Sequence, residues 1–272
     1  MTIKWYSAYV KGLTFRWMAE EEQRHGRYFA GIKGAGLPEA GAEAARRLAA
    51  QGARLVLGGR DHERLERLAA ELGATAVRVD ARHVDEVETC VGQAVETHGR
   101  LDGLVNCFGT LLLKPAHLTS EAEWRETIEV NLTSSFAAVR AAARAMMGEG
   151  GSIVLISSAA ARLGLANHEA IAAAKAGVQG LALAAAASYG HRGIRVNVVA
   201  PGLVRTRLTE RVTANESSLK ASTALHVLGR IREPADVAAL VVWLLDPAHG
   251  WVTGQIIGVD GGLGSVRSRP GS

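Results

Sequence analysis

One ionisable side chain stands out by its surroundings. Lys175 lies in the stretch HEAIAAAKAG (168–177), where its immediate neighbours are alanine and glycine. A charged ammonium in such a setting is costly unless it is paired or serves a ligand. The stretch reads as a helix, on which His168, seven residues earlier, and Ile171, four residues earlier, share a face with the lysine. The imidazole of His168 exchanges protons near neutral pH and suits protonation of a substrate oxygen, whereas Ile171 has no proton to give. Glu169 either tunes that histidine or, if buried, acts as an acid itself. Read as a helix start, NHE makes Asn167 the N-cap, with Glu169 favourable to the helix dipole.

Such a face needs a frame to hold it. From about residue 39, helical-period segments alternate with short β-rich runs: RLVLG (54–58), TAVRV (75–79), DGLVN (102–106), SIVLIS (152–157), IRVNVV (194–199) and QIIGV (255–259). Between them lie EAGAEAARRLAAQG, DHERLERLAAELG, VDEVETCVGQAVETHG and two long Ala-rich helices, 121–147 and 168–189. This alternation predicts an α/β fold with a doubly wound parallel sheet in a single domain, its ligands beyond the carboxyl ends of the strands. The expected domain spans 28–265, after an atypical N-terminal extension (1–27) and before a C-terminal tail (266–272).

Composition narrows the class. The formal charge of +4 is spread along the chain, without the basic stripe and interleaved aromatics of a nucleic-acid binder. Cys90 and Cys107 are too few for a disulfide framework and lack metal-ligand spacing, which fits a reducing compartment. No uninterrupted apolar run reaches the roughly 18 residues of a membrane span, and Lys4, Lys11 and Arg16 interrupt a signal-peptide core, so a cytoplasmic protein is expected. The first 29 residues hold seven of the thirteen aromatics. They read either as a docking arm or as an extension beyond the native start, which Met18 could mark.

Six segments, GRLDGLVNCFG, VNLTSSFAAVRAAARAM, GSIVLISSAAA, AAAKAGVQGLA, GIRVNVVAPGLVRT and VTGQIIGVDGG, come in an order and at spacings that resemble the short-chain dehydrogenase/reductase family, over about residues 42–262. The resemblance implies a Rossmann-type fold and an NAD(P)-dependent oxidoreductase. By the same resemblance Ser158 hydrogen-bonds the substrate oxygen, Lys175 holds the nicotinamide ribose, and Asn131 props a water chain to that lysine. GAGLPEAG (34–41) falls over the family's phosphate loop, giving Gly34, Gly36 and Gly41, while Ala35 and Glu39 replace two of its glycines. Arg60 follows Gly59 where NAD enzymes place an acid, which favours NADP(H) over NAD(H). Asp80 matches the acid near the adenine, Asn106 and Gly109 the loop under the ribose, and Pro201, Gly202 and Thr206 the segment at the carboxamide. Residues 203–230 take the place of the substrate lid, with Leu208, Leu219, Leu225 and His226 as lining. The family's habit implies a homo-oligomer, tetramer or dimer, through the long helices and the last strand.

Two departures qualify the expectation. Ile171 stands where the family keeps its tyrosine acid, and a general acid is worth on the order of 10²–10⁴ in rate. His168 is the candidate replacement, at a spacing that resembles the enoyl-carrier-protein reductase branch; none of Tyr6, Tyr9, Tyr28 and Tyr189 offers an obvious substitute. Glu39 would bring negative charge to a diphosphate, and YFAGIK carries a glycine and a lysine where a central strand should be apolar. The expected function is NADP(H)-dependent interconversion of a carbonyl and an alcohol on a small, largely apolar substrate. The alternatives are an enoyl- or dienoyl-type C=C reductase and a non-catalytic binding protein of the same fold.

Overall fold

The computed structural model describes residues 28–32 and 38–266. The extension 1–27, Gly34, Gly36 and the tail from residue 267 lie outside the described residues. Strands β1 (Tyr28–Ile32), β2 (Arg54–Gly59), β3 (Thr75–Arg78), β4 (Gly103–Asn106), β5 (Gly151–Ile156), β6 (Ile194–Pro201) and β7 (Ile256–Val259) form, among the described residues, one parallel sheet in the order β3-β2-β1-β4-β5-β6-β7. The chain winds outward from β1 to β3, then crosses back to β4. The β1/β4 boundary is therefore the topological switch point, where the carboxyl ends open into a crevice.

Alternate strand residues face opposite layers. Leu104, Ile153, Leu155, Val196 and Val198 pack with helices α3 (Val84–His98), α5 (Ser134–Met146) and α6 (Glu169–Tyr189). Val105, Val154, Ile156 and Val199 pack with α1 (Pro38–Ala50), α2 (His62–Leu72) and α9 (Pro234–Leu245). With both faces covered, β6 is buried along its whole length, which is why such strands read as continuous apolar runs. Strand β1 is central in spite of its glycine: Gly31 pairs in register with Leu57 and Val105 through the backbone.

The helix expected over 121–147 is three pieces. Helix α4 (Glu121–Ile128) starts in a capping box between Ser120 and Glu123, a π-helical turn spans Glu129–Thr133, and α5 follows. A π turn inserts one residue into the helical repeat and re-aims the side chains it carries, here Asn131. Helix α6 passes close to this turn: a Cβ on Gly177 would lie 2.8 Å from Leu132 Cδ2. Contrary to the run-length reading, the segment Glu169–Arg192 is long and apolar enough by composition to cross a membrane. In the fold it packs along β6, with Val178, Ala182 and Ala185 in the core. The lid carries two short helices, α7 (Glu210–Thr213) and α8 (Glu216–Leu225).

Candidate active site

A cavity of about 330 Å³ opens at the carboxyl ends of β4, β5 and β6. Each strand delivers a wall segment to it: residues 107–110 after β4, 157–160 after β5, and Pro201 at the end of β6 with 202–204 after it. Helix α6 closes one side with His168, Ile171 and Lys175, and the lid closes another with Leu208, Val212, Leu225 and His226. The structure thus brings Ser158, Lys175, Asn131, His168, Gly109, Pro201 and Gly202 to one cavity.

Lys175 is 6% exposed, and its Nζ donates to the Ile156 carbonyl at 2.9 Å. Burial pushes its pKa down to about 8, against the opposing influence of Cys107. The helix around it is clamped to the end of β5: Ser157 Oγ donates to the Lys175 carbonyl at 2.8 Å, and Gln179 Nε2 donates to Ser157 Oγ at 3.0 Å. Ser158 Oγ accepts from the Ala160 amide at 3.2 Å, a bond that leaves the hydroxyl hydrogen available to an acceptor. Asn131 ties two elements together. Its Oδ1 accepts from the Thr110 amide at 3.2 Å, while Nδ2 donates to Thr110 Oγ1 at 3.0 Å and to the Thr127 carbonyl at 2.9 Å.

His168 Nδ1 lies 2.8 Å from the Ala166 carbonyl. A carbonyl can only accept, so Nδ1 carries the hydrogen; Nε2 is an acceptor in the neutral ring and a donor in the imidazolium. His168, not Asn167, occupies the N-cap position of α6, and Asn167 adopts a left-handed backbone with φ 63°. Asparagine tolerates that region better than most residues, which moves the cap one residue on. Glu169 is exposed and stands outside the cavity wall, so it is not the buried acid considered above. Ile171 is 3% exposed within the wall.

Several other sequence candidates lie outside the cavity wall. Arg60 is exposed just past β2. Asp80 is held by Arg82, whose Nη2 donates at 2.5 Å, and these hydrogen bonds pull the Asp80 pKa down to about 2. Asn106 is fully engaged: Oδ1 accepts from the Phe108 amide and Nδ2 donates to Ser135 Oγ at 3.0 Å. Thr206 bonds Thr209 in a capping box, and Leu219 is also absent from the wall. Gly41 lies in the first turns of α1, where an added Cβ would touch Cys107 Sγ at 3.4 Å. Glu39, at the same helix start, pairs with Arg64 Nη2 at 3.2 Å, so its charge is compensated; its Oε2 is buried with no hydrogen-bond partner among the described residues.

Sequence reasoning missed two positioning groups. Thr110, in an uncharged run, carries no signal beyond its hydroxyl. His226 lines the cavity as expected of the lid, and its ring is also structural, which the sequence did not announce: Nδ1 donates to the Ser222 carbonyl at 2.7 Å and Nε2 accepts from the Leu203 amide at 3.2 Å. The ring sits so close to Gly202 that a Cβ there would fall 2.5 Å from Nε2. An isolated histidine in an otherwise aliphatic stretch was the available clue.

The buried lysine sets a pH dependence. Its pKa falls from the ordinary 10.5 to about 8 on folding; between those values the unfolded chain holds a proton that the folded chain has lost, so stability rises with pH across that window. Urea midpoints taken from about pH 7.5 to about pH 10 should climb more in the native protein than in Lys175→Met. Parallel curves for the two proteins would contradict the assignment.

The comparisons with known proteins agree with this geometry. Residues 40–264 match the family model described as enoyl-(acyl carrier protein) reductase. The chain is 38% identical over 240 residues to galactitol 2-dehydrogenase (L-tagatose-forming) of Cereibacter sphaeroides, covering 86% of this chain and 93% of that protein. It is 37% identical to trans-4-hydroxycyclohexanecarboxylate dehydrogenase of Sinomonas cyclohexanicum, covering 82% of this chain and 87% of the relative. The structure of a short-chain type dehydrogenase/reductase from Mycobacterium ulcerans superposes with a TM-score of 0.83 at 32% identity, covering 87% of this chain and 89% of the other. With the parallel sheet, the switch-point cavity and these likenesses along most of its length, the chain belongs to the short-chain dehydrogenase/reductase family of oxidoreductases.

Proposed function

We propose that the protein interconverts a carbonyl and an alcohol on a small, largely apolar substrate, with NADP(H) as the cofactor. The observation that carries this reading is the meeting of Ser158, Lys175 and His168 in one cavity whose wall is otherwise mainly aliphatic. The residues present fit a nicotinamide dinucleotide. Lys175 spends one donor on Ile156 and keeps two for ribose hydroxyls, and the cavity opens at the carboxyl end of β4, one of the two strands that flank the switch point near which such cofactors bind. When bound, the nicotinamide supplies or accepts the hydride.

The chain's own residues handle the rest. Ser158 Oγ–H donates to the substrate oxygen and polarises it. In the reductive direction the His168 imidazolium gives its Nε2 proton to that oxygen, and in the oxidative direction neutral Nε2 takes the proton back. The Ala166 carbonyl accepts from Nδ1–H and orients the ring throughout. A water linked to Lys175 is the other route for the proton. Pro201 and Gly202 back the carboxamide end, while the His226 bonds fix the strand-to-lid segment that carries them.

The preference for NADP(H) rests on Arg60, which is exposed at the end of β2 with no acid at Gly59. A guanidinium there suits a 2′-phosphate. The pairing of Glu39 with Arg64 supports retained affinity for a diphosphate in spite of the two replaced glycines. The proposed assembly is a homo-oligomer, tetramer or dimer; the exposed Trp124, Phe136 and Leu183 on α4, α5 and α6 supply apolar contact surface. The proposed setting is the cytoplasm, in keeping with two buried cysteines that form no disulfide. Reduction of an activated C=C bond is the second reading, favoured by the description of the matching family model. An enone substrate separates the two, since the first gives an allylic alcohol and the second a saturated ketone.

Calorimetric titration should give micromolar binding of NADPH, tighter than NADH, with Arg60→Ala reducing that preference by about tenfold or more. Failure to bind either dinucleotide would leave only a non-catalytic member of the family. His168→Ala should lower ketone turnover about tenfold or more; an unchanged rate would remove the histidine from the mechanism.

A further inference from the structure

We infer that the substrate carries an apolar tail which leaves the cavity and lies along an aliphatic rim at its mouth, a refinement that rests on the function proposed above. The rim consists of Leu113, Leu225, Val227, Leu228 and Val266, exposed by 42%, 53%, 40%, 69% and 54%. Single exposed aliphatics are ordinary on a protein surface, whereas a contiguous strip beside a cavity marks binding.

Continuity with the cavity argues for substrate as the occupant. Leu113 and Leu225 are themselves in the cavity wall. The next residue, His226, is buried and fixed at both ring nitrogens, which holds Leu225 and Val227 on either side of it. The Leu228 amide donates to the Gly261 carbonyl at 3.1 Å. Val227 and Val266 both pack over Gly262, where a Cβ would fall 2.6 Å from Val266 Cγ2 and 3.1 Å from Val227 Cβ. The following residue, Leu263, is again in the wall. Leu225, Val227, Leu228 and Val266 therefore follow hydrogen-bonded backbone from the cavity wall to the surface, and Leu113 adds an exposed aliphatic side chain of the wall from the loop after β4.

The wall selects the chemistry of the head. Among the described residues it contains no aspartate, glutamate or arginine; the ionisable groups among them are Cys107, Lys175, His168 and His226, and both nitrogens of His226 are engaged. A carboxylate or a polyol carried on the tail would be desolvated along the aliphatic rim, beyond Ser158, Lys175 and His168 at the reacting end. The cavity, at about 330 Å³, must also admit the nicotinamide, which leaves room for a reacting head and little chain. The substrate class is thus a neutral aliphatic ketone or secondary alcohol, or a monocyclic one bearing an alkyl chain.

The test is a homologous series of 2-alkanones from butanone to decanone, reduced with NADPH, alongside thermal-shift titration of the matching 2-alkanols as a readout free of turnover. Burial of each methylene on the rim should raise kcat/KM about two- to fourfold, through the long members of the series. The double variant Leu228→Ser/Val266→Ser should lower the preference for 2-decanone over 2-butanone about tenfold. A plateau before 2-hexanone, or a double variant that keeps the native preference, would overturn the inference. So would loss of oligomeric state in that variant without a change in chain-length preference, which would make the strip a subunit contact. Alkanol binding that strengthens with length in a protein turning over no alkanone would sink the proposed activity and leave the rim; turnover indifferent to length would do the reverse.

Discussion

The Lys175 ammonium, buried and donating to the Ile156 carbonyl, is the constraint on which the site depends. A cation inside an apolar helix is tolerable only where acceptors are fixed in advance, and leaving one without them costs about 3–5 kcal/mol. The acceptor here is the last carbonyl of β5, so the lysine joins α6 to the end of that strand. The surrounding polar groups serve the same registration: Ser157 and Gln179 clamp the helix backbone, Asn131 locks the loop after β4 to the π turn, and His226 locks the lid to the segment after β6. The Ser157 and Gln179 bonds are buried and the other two part-buried, and pairing away from water specifies one arrangement strongly.

Much of the frame was legible because buried parallel strands are short continuous apolar runs, and six of the seven strands fall within one residue or so of the runs read from the sequence, β6 running two residues further. What was not legible has a common physical cause in long-range pairing. The Glu39–Arg64 contact joins residues 25 apart in sequence, and the Leu203–His226 contact joins residues 23 apart; neither periodicity nor motif announces them. The π turn at Asn131 was hidden because one inserted residue leaves the apolar pattern of 121–147 almost unchanged. Helix capping misled by one residue at Asn167, whose left-handed conformation moves the start of α6 to the next position. The Asn106 side chain bonds the Phe108 amide and Ser135 Oγ, 29 residues on, and Thr206 bonds Thr209, engagements that the motif reading did not announce.

On the proposed reading, Ile171 in place of a phenolic acid changes the division of labour more than the architecture. An isoleucine in the wall adds apolar contact and removes a proton, so catalysis in this reading shifts to groups at the helix start. His168 is placed for that by its cap position, where the Ala166 carbonyl fixes the tautomer. The same substitution makes the wall more aliphatic beside the reacting carbon, which accords with the mainly aliphatic lining around it and with the aliphatic side chains outside.

The central claim is that a hydride-transfer site persists without the tyrosine. Its most direct test is isotopic: NADPH deuterated at C4, on each face in turn, is incubated with the protein and an aliphatic ketone, and the product alcohol is analysed by mass spectrometry and NMR. The account predicts deuterium on the carbinol carbon from one labelled face and none from the other. Alcohol formed without label from either face, or no alcohol while NADPH remains bound, would contradict it.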